Sequence, residues 1–183
     1  MLYGGVPPAA VAESALDLLS AGTLAEAIEQ AVELLELGDA AAADPGAVVR
    51  AIEAFVAGRS ALGRGASPAA EARVHQLAAQ LGGLWGRQLE ATAGFAWVAL
   101  PRFPVRLPDL LRPRRDRWRL RETEVALVSA DRARVAFPIY YMASLLIDRA
   151  RRIDVVAAYD ELRRGEPKAA PRSYTVVVPR KRP

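Results

Sequence analysis

The chain has 183 residues, 52% hydrophobic and 25% charged, which suits one domain, or one domain with a helical extension, and excludes a largely disordered or fibrous chain. It contains no cysteine, so disulfides, thiolate metal sites and cysteine nucleophiles are excluded. The net charge of +4 conceals a split: residues 1–66 carry nine acidic and three basic side chains, net −6, whereas residues 67–183 carry twelve acidic and twenty-two basic, net +10.

The expected elements begin after Pro7 and Pro8, where "AAVAESALDLLSAG" reads as a short amphipathic helix ended by Gly22. Thr23, with Glu26 three residues on, has the spacing of a capping box and opens a second helix. Leu24, Ile28, Ala31 and Leu35 form its inner stripe, Glu26, Glu29, Glu33 and Glu36 its outer one, and Gly38 closes it. A third helix starts with Asp44 as cap and Pro45 in its first turn, and buries Val48, Val49, Ile52, Phe55 and Val56. Residues 59–67, "RSALGRGAS", form a linker.

Ser67, Pro68 and Glu71 open the longest helix, roughly 68–93, with Val74, Leu77, Leu81, Leu84, Trp85 and Leu89 on its apolar face. Gly82 and Gly86 share one side of that helix and leave room for a neighbour; Gly83 suggests a bend. Gly94 stops the helix, and "FAWVALPRF" is the first strand signal. Pro101, Pro104, Pro108 and Pro113 prevent any regular element from continuing through residues 101–117. "RWRLRETEVALVS" and "RVAF" then read as a hairpin joined by "SADRA". "PIYYMASLLIDRARR" and "IDVVAAYDELRRG" read as one interrupted helix or two short ones, and "SYTVVVP" as a last strand before the tail "RKRP".

The chemistry-bearing residues are few. His75 is the only histidine and lies on the long helix beside Val74, so it reads as a surface or partly buried side chain. No clustering of histidine and carboxylates suggests a metal site, and no serine sits in a nucleophile-elbow setting. The pairs Glu122–Glu124 and Asp160–Glu161 are crowded by arginines and read as salt-bridge partners. "GRGAS" lacks the lysine and hydroxyl residue of a phosphate-binding loop.

The strongest local signal is "RLPDLLRPRRDRWRLR", residues 106–121. Arg106, Arg112, Arg114, Arg115, Arg117, Arg119 and Arg121 outnumber Asp109 and Asp116 there, with Trp118 among them. Three readings stand: a guanidinium and indole surface for nucleic acid, a contact for an acidic protein surface or for this chain's own acidic helices, and a solvated charge run.

Leu81, Gly82, Trp85 and Gly86 at a helix end, Gly94 and Trp97 at a strand start, and Phe137 and Pro138 before another helix also form a pattern. In these features residues 81–138 resemble a bacterial domain-of-unknown-function family. The resemblance implies an α+β fold, and relatives of this type that look like immunity or accessory proteins.

The expectation is therefore an α+β protein: an acidic helical region over 1–66, and a basic α+β region over 67–183 with a long central helix, a small mainly antiparallel sheet of three or four strands and C-terminal helices. The two regions are compatible with one compact domain. No apolar run approaches the ~18 residues of a membrane span, and "MLYGGVPPAAVAES" lacks the positive region of a secretory signal; the expected setting is the cytoplasm. The expected function is a non-enzymatic binding or accessory role through protein contacts or self-association, without a cofactor, metal or membrane. The alternative is nucleic-acid association through 106–121 and the basic tail.

Overall fold

A computed structural model describes residues 14–38, 44–59, 67–101, 123–130, 134–147, 153–164 and 175–176. In chain order these form β1 (Ser14–Ala15), α1 (Leu18–Leu34), α2 (Pro45–Ala57), α3 (Pro68–Ala93), β2 (Phe95–Pro101), β3 (Thr123–Ser129), β4 (Arg134–Ala136), α4 (Pro138–Ile147), α5 (Val155–Arg164) and β5 (Thr175–Val176). The class is α+β, as the pattern of residues predicts.

The sheet runs in the order β1-β2-β3-β4-β5. β2 and β3 pair antiparallel along their whole length, from Phe95↔Ser129 to Pro101↔Thr123. β4 continues the antiparallel pattern with Leu127↔Ala136 and Val128↔Val135. At its turn the Ser129 hydroxyl accepts from the Arg134 N–H at 3.0 Å, the side-chain turn chemistry expected of the serine in "SADRA". Two-residue strands finish the edges, β1 antiparallel to β2 and β5 parallel to β4.

α3 is the axis of the core. Ser67 caps it, accepting from the Ala70 N–H at 3.2 Å with Pro68 in the first turn, and Gly94 ends it at φ +64°. All six residues of the expected apolar face are buried, and from Gln80 to Leu89 every residue except Arg87 is buried. A helix enclosed on so many sides needs several partners, and the three glycines show how they are accommodated. A Cβ on Gly82 would stand 2.7 Å from the Ile139 Cα and 2.8 Å from both the Ile139 N and the Pro138 carbonyl carbon, so the backbone of α4 lies directly on that spot. A Cβ on Gly83 would meet Ile28 Cγ1 at 3.0 Å and Leu24 Cδ1 at 3.1 Å, both from α1. One on Gly86 would press into the Trp97 ring, with Leu127 Cδ1 at 3.1 Å, both from the sheet. Gly83 lies within the continuous helix α3 and seats α1.

Helix α1 departs from expectation. One helix spans Leu18–Leu34 where two were expected, passing through Gly22 and Thr23. The effective cap is Asp17, whose carboxylate accepts from the Ser20 N–H at 2.8 Å and from the Ser20 hydroxyl at 2.9 Å. Gly22 is exposed with open space around it, so it weakens the helix without breaking it, and the buried contacts of Ile28 and Ala31 prevail over local propensity. The residues just before, expected in a helix, supply β1 instead, with Ala15 opposite Val98. Closure also comes earlier: Glu36 adopts φ +52°, its N–H donating to the Glu33 carbonyl (3.0 Å) and that of Leu37 to the Val32 carbonyl (3.1 Å). This is the double bond pattern of a Schellman stop, formed two residues before Gly38.

The C-terminal segments form two short helices. α5 is held at both ends by side chains from elsewhere. The Glu53 carboxylate of α2 accepts from the Val156 N–H at 2.9 Å in its first turn, and the Arg134 guanidinium of β4 donates to the Leu162 carbonyl in its last. Negative charge at the N-terminal end and positive charge at the C-terminal end both match the helix dipole. A main core gathers residues from all five helices together with Phe95, Leu127 and Ala136 from one side of the sheet. Val98, Ala126, Val128, Val135 and Phe137 cluster separately on the other side.

Candidate functional site

The arginine segment that dominates the sequence reading lies outside the described residues: Arg106, Arg112, Arg114, Arg115, Arg117, Arg119 and Arg121 all fall there, as do Trp118 and the tail "RKRP". The described residues hold the other half of the charge split. They include seven arginines, no lysine and thirteen carboxylates, net −6, within a chain whose total is +4.

The acidic excess is concentrated on α1. Glu26, Glu29, Glu33 and Glu36 follow at intervals of three, four and three residues, and all four are exposed. The opposite side of the helix is apolar, with Ile28 and Ala31 buried and Leu24 and Val32 packed against the main core. The Gln80 amide donates to the Gln30 carbonyl oxygen at 2.7 Å, fixing how α1 is rotated and how far it is advanced along α3. The carboxylates of Glu26, Glu29 and Glu33 are thereby held in one outward row, about 10 Å long at 1.5 Å per residue, and Glu36 follows just past the end of the helix.

This row works against the helix that carries it. Like charges three and four residues apart repel by a few tenths of a kcal/mol per pair. Glu33 and Glu36 also stand at the C-terminal end, where the helix dipole favours cations. No ion pair to any of the four is seen among the described residues, where Arg50 pairs with Asp44 at 3.5 Å and Asp160 with Arg163 and Arg164, each at 3.6 Å. The row is an exposed surface of carboxylates.

Several other carboxylates take part in structural contacts. Glu53 caps α5. Asp154 accepts from the Tyr141 hydroxyl at 3.2 Å, and the Tyr141 ring tilts against Trp85 with centroids 5.4 Å apart. Asp160 is held by its two arginines, the salt-bridge role expected of it. Glu122, half of the other pair considered, lies outside the described residues. His75 is exposed on α3, and no group of three or more metal-ligating side chains occurs among the described residues. No helix among them is long and apolar enough to cross a membrane.

One internal polar contact had no signal in the sequence. The hydroxyls of Thr92 and Tyr159 share a hydrogen bond at 2.7 Å, while Thr92 also donates to the Gln88 carbonyl at 2.6 Å, tying the end of α3 to α5. No protein-family model, no curated protein and no solved structure matches this chain.

Proposed function

We propose that the protein is a non-enzymatic binding or accessory protein that works through charge-guided protein contacts, the α1 carboxylate row being one contact surface. The observation that carries this reading is the exposed row of Glu26, Glu29, Glu33 and Glu36, without an ion pair among the described residues, on a helix whose own stability it opposes. Its natural counterpart is a cationic protein surface. The arginines of segment 106–121 have that chemistry, so a second copy of this chain is the partner proposed. Pairing of opposite charge blocks between subunits guides encounter and register more than it adds affinity.

The test is the mass in solution by light scattering or sedimentation at low and high salt. A dimer at about 0.02 M salt that dissociates to monomer at about 0.5 M, as screening grows, is the expected result. The triple variant Glu26→Gln, Glu29→Gln, Glu33→Gln remains monomeric at both salts, with an unchanged far-UV circular dichroism spectrum. A monomeric wild-type protein at both salts overturns self-association. Anisotropy with generic DNA and RNA separates the alternative: binding that weakens steeply with salt assigns the arginines to phosphate instead.

A further inference from the structure

We draw no further inference here: the strongest candidate, the second apolar side of the sheet formed by Val98, Ala126, Val128, Val135 and Phe137, stands apart from the main core, and nothing among the described residues shows what covers it.

Discussion

Replacing Gly82 by alanine adds one methyl group where α3 and α4 meet backbone to backbone. The new Cβ would lie 2.7 to 2.8 Å from three main-chain atoms of Pro138 and Ile139, against the 3.4 Å at which ordinary contact begins, so α4 must retreat by about 0.6 to 0.7 Å. Retreat is opposed because α4 begins directly after β4, and Tyr141, Met142, Leu145 and Leu146 are all buried in the main core. Overpacking of this kind costs up to about 3 kcal/mol. The better helix propensity of alanine returns about 1 kcal/mol. The expected net loss is about 2 kcal/mol, or about 4 to 8 °C in Tm for a chain of this size. Gly83→Ala is the internal control, since the propensity gain is the same but the obstacles are side-chain atoms of Leu24 and Ile28, which can turn aside. Its stability should stay within about 1 kcal/mol of wild type. Urea unfolding followed by circular dichroism measures both. A Gly82→Ala protein as stable as wild type, or less harmed than Gly83→Ala, refutes the close approach of α4.

Gly86→Leu forces a whole side chain against Trp97 and Leu127 and should lose about 3 kcal/mol; an unchanged Tm would show that the sheet does not rest there. Glu36→Gly relieves a left-handed residue and removes a charge from the wrong end of α1, so it should stabilise by about 0.5 to 1 kcal/mol. Glu36→Ala, which keeps the positive φ, should gain less in the same denaturation assay. Arg134→Met removes the donor to the Leu162 carbonyl and the cation over the Phe95 ring, whose centroid lies 5.2 Å away, and should cost about 1 to 3 kcal/mol. Hydrogen exchange in that variant should rise first in the last turn of α5.

Much of this fold is legible because periodicity reports burial. The stripe Val74, Leu77, Leu81, Leu84, Trp85 and Leu89 is buried as a whole, and Asp44 with Pro45 and Ser67 with Pro68 start helices where local capping rules place them. The failures share one physical cause. Thr23 and Glu26 have capping-box spacing yet lie inside a helix, because the contacts of Ile28 and Ala31 with the core decide the length of α1 and no local motif encodes them. β1 is equally illegible, since it is held by pairing with distant chain, whereas β5 falls within the strand expected over "SYTVVVP" and only its parallel pairing with β4 had no local signal. The spacing of Gly82 and Gly86 shows that they share a side, but nothing local distinguishes the main chain met by one from the indole met by the other. The acidic row could be read from spacing alone, because exposure on an amphipathic helix follows from the positions left over once the apolar ones are assigned.

The acidic and basic regions of the chain share one core, with Gly83 of α3 seating Leu24 and Ile28 of α1 and Glu53 of α2 capping α5. Neither region can leave without exposing apolar surface of the other to water, so the two should melt together in a single cooperative transition.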